Sequence, residues 1–267
     1  MLGAVIGDVI GSVYEWHNVK SEDFPLFSRN TRFTDDTAMT TATAVKLIND
    51  KKRLCDNSAL AYAMQYKAYF KRYPHAGYGG MFKNWANSDE LYIQHSYGNG
   101  ASMRIAPIGF ACESIEEIKQ EVKASCHYTH NNDEAVQCAY AVAMAIFLAR
   151  KGSDKSKIKA QIETHTGIKL DFTIDEIRPT YRFSSRSIES VPQAIEAFME
   201  GSDYESTIRK AISIGGDSDT IACIAGGIAE AYYKTIPEEI VNKAYSYIDG
   251  TIKNVIKEFY ECYNINK

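Results

Sequence analysis

Gly215-Gly216-Asp217-Ser218-Asp219-Thr220 runs directly into the small, apolar stretch Ile221-Ala222-Cys223-Ile224-Ala225-Gly226-Gly227-Ile228-Ala229. A glycine pair followed by two acids and then a continuous apolar run reads as a turn delivering carboxylates onto the first residues of a buried helix. The positive end of the helix dipole favours anions there. Far upstream, Phe33-Thr34-Asp35-Asp36-Thr37-Ala38-Met39-Thr40 has the same layout. Asp and Thr are preferred N-cap residues, so either motif alone reads first as an ordinary helix start. A cap needs one side-chain oxygen, however, whereas each motif carries two carboxylates and a threonine hydroxyl. Neighbouring acids repel, and a hard divalent cation with oxygen ligands offsets that repulsion. Taken together, the two motifs favour metal binding over capping.

The surrounding chain reads as helical. Residues 1–15 form an expected helix in which Gly3, Gly7 and Gly11 recur every four positions, a spacing that admits a second helix at close range. Asp8 within it is expected to be a buried partner for hydroxyls or backbone, and Glu15 to close the segment. Residues 18–33 read as a loop that could cover the site as a mobile flap. Further helices are expected over 36–50, 58–72, 114–124, 135–150, 155–166, 192–200, 205–214, 238–247 and 252–263, with the glycine cluster around Gly77, Gly79 and Gly80 as a break. Residues 167–190 have sparse helical periodicity and read as an ordered loop. No alternating strand pattern and no linker divides the chain. The expectation is one compact all-α domain over residues 1–267, a helical bundle around a dinuclear metal centre.

Composition narrows the function classes. The 267 residues are 45% hydrophobic and 24% charged, ordinary for a globular chain. A net charge of −4 carries no basic footprint, so nucleic acid is not an expected partner. Six cysteines (55, 112, 126, 138, 223 and 262) form no CxxC pair and suit free thiols in a reducing, cytoplasmic compartment. There is no signal-peptide pattern, and no apolar stretch is long enough to span a bilayer, so no membrane association is expected. A monomer is the simplest expectation.

The chemistry of the donor set points to particular metals. Asp217-Ser218-Asp219 matches the first and third positions of a calcium-binding EF-hand loop, but Ala222 and Ile228 then replace the required Gly and Glu, which excludes it. The Cys126-His127-Tyr128-Thr129-His130 cluster lacks a second group at zinc-ligand spacing and ranks behind a polar helix start. Asp and Thr oxygens suit magnesium, or alternatively manganese. Four aspartates exceed the charge of one ion, and two ions about 3.5–4 Å apart sharing a carboxylate accommodate them. The Tyr97-Gly98-Asn99-Gly100 turn is a weak phosphate-binding signal by itself.

Five motifs in fixed order carry a resemblance. Gly7-Asp8-Val9-Ile10-Gly11-Ser12-Val13-Tyr14-Glu15, Phe33-Thr34-Asp35-Asp36-Thr37, Tyr97-Gly98-Asn99-Gly100-Ala101-Ser102-Met103-Arg104, Thr129-His130-Asn131 and Gly216-Asp217-Ser218-Asp219-Thr220 together resemble the ADP-ribosylglycohydrolase family, over residues 1 to about 233. The resemblance implies an all-α domain with two magnesium ions. Thr34, Asp35, Asp36 and Asp219 would hold one, Asp217, Asp219 and Thr220 the other, with Asp219 bridging. It implies that Gly98, Asn99 and Gly100 with Ser96 cradle a diphosphate, that Tyr97 packs on adenine, and that Gly79, Met103 and His130 line the same groove. Glu15 and Asp36 are the implied catalytic residues. The substrate implied is an ADP-ribosylated protein or small ADP-ribose conjugate. Gly-Ser-x-Tyr-Glu resembles the branch acting on serine and other O-linked ADP-ribose, and Ser96 stands where the arginine-directed branch has an Asp. Two rivals remain, a two-metal phosphohydrolase and a non-enzymatic ADP-ribose binder.

Overall fold

Glycines at every fourth position give α1 (Leu2–Gly11) a face with no side chains, and α12 (Ser218–Tyr233) fills it. A Cβ on Gly3 would lie 2.3 Å from the Gly226 carbonyl oxygen, one on Gly7 2.1 Å from that of Ala222, and one on Gly11 2.5 Å from the Asp219 Cα. Only glycine permits backbone-to-backbone contact this close. The expected close helix approach is therefore present, and its partner is the helix that follows the second acid pair. Because Gly11 abuts Asp219, the contact carries the end of α1 onto the start of α12.

The computed structural model describes residues 1–52 and 59–265; Cys55, and Ser58 as a helix start, lie outside them. Around the central pair the chain order continues as α2 (Asp35–Lys51), α3 (Ala59–Arg72), α4 (Gly80–Asn87), α5 (Ala106–Ala111), α6 (Ile115–Cys126), α7 (Asp133–Arg150), α8 (Lys155–Thr166), α9 (Ile174–Ile177), α10 (Val191–Glu200), α11 (Tyr204–Ser213), α13 (Glu238–Tyr245) and α14 (Gly250–Tyr263). Among the described residues there is no strand, only two isolated bridges, His95 to His130 and Gly98 to Arg186. The all-α, single-bundle expectation holds. α10 and α11 cover one side of α12, while α7, nearly all of whose apolar side chains are buried, packs against α12 and α5.

Three local expectations change. The first helix stops at Gly11, so Glu15 sits in the turn beyond it, with the Tyr14 amide closing on the Gly11 carbonyl at 2.8 Å. Residues 80–87, following the glycine break, form α4, which buries Trp85 against its neighbours. The 167–190 loop contains α9, begun by a Thr173–Glu176 capping box, and a 3₁₀ turn over Ser187–Glu189.

Candidate active site

Helix α2 begins in an unusual way. Thr34 is its N-cap and accepts the Asp36 amide at 3.3 Å. Asp8, from the middle of α1, supplies the remaining acceptors. Its carboxylate takes the Thr34 amide at 2.9 Å, the Thr37 amide at 3.1 Å, the Thr34 hydroxyl at 2.6 Å, and the Thr37 hydroxyl. This is the buried hydroxyl-and-backbone partner expected of Asp8. The Asp36 and Thr37 amides are thus capped by Thr34 and Asp8, and the Asp36 Oδ1 atom is buried with no hydrogen-bond partner.

At the start of α12, Asp217 is the N-cap residue but makes no capping bond with its side chain. Gly215 and Gly216 precede it with φ of 70° and 76°, left-handed backbone that glycine adopts without strain. The Asn18 carboxamide locks this turn: it accepts the Gly216 amide at 2.8 Å and donates to the carbonyls of Gly216, Glu15 and Tyr14. One side chain thus ties the turn bearing Glu15 to the turn bearing Asp217.

The acid pairs converge. Oxygens of Asp8, Asp36 and Asp219 lie within 4.8 Å of one another, as do oxygens of Glu15, Asp217 and Asp219, so Asp219 is common to both clusters. Thr34 and Thr220 hydroxyls each lie 3.3 Å from Asp36 Oδ2. Asp35 belongs to neither triplet; it is half-buried and faces Gly77 across the cleft wall. Among the described residues no lysine or arginine pairs with any of these acids. Burial, reinforced by the Asp219 charge, pushes Asp8 and Glu15 up to about 7 and raises Asp35, Asp36 and Asp217 well above the carboxylate range. Burial also raises Asp219. A cluster of acids so disfavoured as anions, with an unpartnered inward oxygen on Asp36, fits divalent cations with oxygen ligands. Capping alone leaves that oxygen unexplained.

Beside the clusters lies a cleft of about 470 Å³. Its lining includes Glu15, Thr34, Asp35, Asp36, Asp217, Asp219, Thr220, Gly79, Ser96, Gly98, Asn99, Gly100, Met103 and His130. Tyr97 is the one expected site residue outside it; the residue is 58% exposed, with the Arg186 guanidinium 5.8 Å from its ring. The glycine turn is already engaged internally. Gly98 N–H donates to Ser96 Oγ at 3.1 Å, and Asn99 N–H to the Ser185 carbonyl at 2.8 Å. The Asn99 side chain donates to Asp217 Oδ2 at 2.7 Å and to Ser190 Oγ at 3.2 Å, so it orients an acid of the metal cluster. At the mouth, the exposed rings of Trp16 and Phe183 stack with centroids 5.8 Å apart. Asn18, Trp16, Phe183, Ser185 and Ser190 carried no chemical signature in the sequence. Each acts through a contact between segments more than 80 residues apart.

Comparison with known proteins follows the same outline. The family model described as ADP-ribosylglycohydrolase matches residues 1–264. The chain is 28% identical to mouse (Mus musculus) ADP-ribosylhydrolase ARH3, over 89% of this chain and 84% of that protein. It is 28% identical to the human (Homo sapiens) protein of the same name, over 87% and 84%. The ADP-ribosylarginine hydrolase Tri1 of Pseudomonas putida is 24% identical, over 91% of this chain and 72% of its own length. A solved structure titled "ADP-ribosylglycohydrolase-related protein complex" superposes with a TM-score of 0.70 at 21% identity, covering 100% of this chain and 97% of that one, a likeness of fold. Among the described residues no helix is long and apolar enough to cross a membrane. With a family model that matches nearly its whole length, the chain belongs to the ADP-ribosylglycohydrolase family.

Proposed function

We propose that this protein hydrolyses the glycosidic bond between ADP-ribose and an O-linked group, with serine as the preferred attachment, at a centre that takes two magnesium ions. The observation that carries the proposal is the pair of acid clusters sharing Asp219, with Glu15 in one of them, at the wall of a nucleotide-sized cleft. Thr34, Asp35, Asp36 and Asp219 would hold one ion, and Asp217, Asp219 and Thr220 the other, with Glu15 close by. Bound divalent ions would neutralise the acids, polarise ribose oxygens and lower the pKa of a water.

The protein's own groups supply the rest. Glu15 lies half-buried at the cleft wall with its carboxyl beside those of Asp217 and Asp219, in place to exchange a proton with a group in the cleft. Asn18 fixes its backbone against the Gly216 turn. Asn99 holds the orientation of Asp217, and Asp8 holds Thr34 and the start of α2. Departure of the leaving group builds oxocarbenium character on the ribose, as in other glycoside hydrolyses. Glu15 then moves the proton that the water or the leaving oxygen requires. Gly79, Gly98, Gly100, Met103 and His130 would seat the ADP-ribose, and Tyr97, on the rim, would meet its adenine.

Arginine-linked ADP-ribose is the second reading, favoured by the likeness to Tri1. Ser96 argues against it, since its hydroxyl is already bonded to Gly98 N–H and offers a guanidinium no carboxylate. The test incubates the protein with serine-linked, arginine-linked and O-acetylated ADP-ribose, with and without chelator. Release of free ADP-ribose from the serine-linked substrate, abolished by chelator, is expected. AMP as product would replace the proposal with phosphohydrolysis, and no turnover of any conjugate would leave only a binder.

A further inference from the structure

Arg104 is fully buried in the wall of the cleft, over the Tyr66 ring at 4.1 Å, and has no carboxylate partner among the described residues. Its Nη2 donates to the Ser125 carbonyl at 3.0 Å and to the Thr129 hydroxyl at 2.8 Å. The same hydroxyl lies 2.8 Å from Nδ1 of His130. An arginine can only donate, so the Thr129 oxygen is the acceptor in the first contact. Its single proton then has one place to go among the described residues, the His130 Nδ1 lone pair. The opposite arrangement, with Nδ1–H donating, would leave a buried hydroxyl proton unbonded, because Thr129 is only 1% exposed.

The consequence appears at the other edge of the ring. With Nδ1 accepting, the imidazole proton sits on Nε2. That atom has no hydrogen-bond partner among the described residues and faces the Gly98–Gly100 turn: a Cβ on Gly100 would come within 3.1 Å of it, and one on Gly98 within 3.7 Å. Burial, and then the Arg104 charge, hold the imidazole well below its ordinary pKa, so the ring is neutral.

We propose that Arg104, acting through the Thr129 hydroxyl, is a positioning residue that fixes His130 as a neutral Nε2–H donor, aimed into the cleft at an acceptor oxygen of the bound nucleotide. The part concerning the nucleotide rests on the function proposed above; the relay itself does not. A neutral donor is useful here. It can be oriented in advance without adding a charge that must be desolvated, and it cannot act as an acceptor towards an oxygen-rich ligand. Other polar groups around the ring are few, the His130 amide being held by the Cys126 carbonyl at 2.7 Å.

The test uses the full chain labelled with ¹⁵N-histidine, with His130 identified by loss of its signals in His130→Asn. Long-range ¹H–¹⁵N spectra distinguish a protonated from an unprotonated ring nitrogen directly. In the unsubstituted protein His130 is expected to show unprotonated Nδ1 and protonated Nε2. Thr129→Val, close in shape but without the hydroxyl, is expected to yield a tautomer mixture, and Thr129→Ser to restore the single form. Arg104→Met is expected to loosen the tautomer as Thr129→Val does; should that variant fail to fold, the two Thr129 variants still decide the matter. Protonated Nδ1 in the unsubstituted protein, or an unaltered tautomer in Thr129→Val, overturns the relay.

Calorimetry with ADP-ribose separates the two layers. Thr129→Val is expected to weaken binding about five- to tenfold, the worth of one hydrogen bond, and Thr129→Ser to recover it. A shifted tautomer with unchanged affinity overturns the role of Nε2–H as a ligand donor. If the unsubstituted protein does not bind ADP-ribose at all, the proposed function fails, while the spectra still support or overturn the relay.

Discussion

Gly7→Ala tests whether the α1–α12 contact organises the molecule, because two physical effects predict opposite signs. Helix propensity favours the substitution by about 1 kcal/mol, since alanine loses less backbone entropy than glycine. Sterics oppose it. The new methyl would stand 2.1 Å from the Ala222 carbonyl oxygen and 2.6 Å from its carbon, where real Cβ contacts do not fall below 3.0 Å. Both obstacles are backbone, so no side chain can swing aside, and the helices must part by roughly 1 Å. Overpacking of a closed core costs about 1–3 kcal/mol, occasionally more. Here the upper end applies, because α1 and α12 are buried along their shared length and the shift also displaces neighbouring Asp8 from the start of α2. The net expectation is a loss of about 2 kcal/mol, read as a lower urea midpoint at unchanged m-value. Gly250→Ala, in the first turn of α14 with nothing within 4 Å of the added carbon, serves as a control and should be neutral or slightly stabilising. A Gly7→Ala protein as stable as the unsubstituted chain would refute the account of the central pair.

Glu15→Gln should lower kcat by about a hundred- to ten-thousand-fold while leaving ADP-ribose affinity largely intact, checked by steady-state kinetics and calorimetry; unchanged turnover would remove Glu15 from the mechanism. Asn99→Ala should weaken magnesium binding by about 10- to 100-fold, the usual cost of losing a group that orients a ligand, because Asp217 loses its 2.7 Å donor; equal affinity in a metal titration would show that orientation to be dispensable. In chelator, the raised carboxyls make stability depend on pH with a definite sign. Asp8 and Glu15, at about 7 in the fold against ordinary values near 4, bind more protons folded than unfolded. Their contribution is therefore greatest below pH 4 and is lost as pH rises towards 7. Saturating magnesium should abolish that loss, and equal melting temperatures at pH 7 with and without the ion would contradict the metal reading.

Helices and acids were readable in the chain because they follow local rules. Apolar periodicity marked α2, α7, α8 and the last helices to within a residue or two, with no competing strand pattern. The doubled acids ahead of two apolar helices signalled more carboxylate than capping can use. Even the glycine repeat in α1 announced a close neighbour, though not which one. The end of that helix was less legible. Ser12, Val13 and Tyr14 are all tolerated in helices, and the stop at Gly11 arises where Asp219 abuts the backbone. Asn99 shows the same limit: its residue type suits a phosphate turn, yet its amide is directed at Asp217, which lies 118 positions away.

Alone, the order of residues determined that this is a helical protein carrying two anionic helix starts, since helix periodicity and carboxylate repulsion act over a few neighbouring positions. Tertiary structure decided the rest: that α1 seats on α12, that Asp219 belongs to both clusters, that Asp8 serves the neighbouring helix, and that Arg104 acts on His130 through Thr129. Those outcomes depend on contacts of a few ångströms between segments separated along the chain. Such contacts exist only once the glycine face has closed and excluded water, which makes each buried hydrogen bond and each unpartnered oxygen consequential.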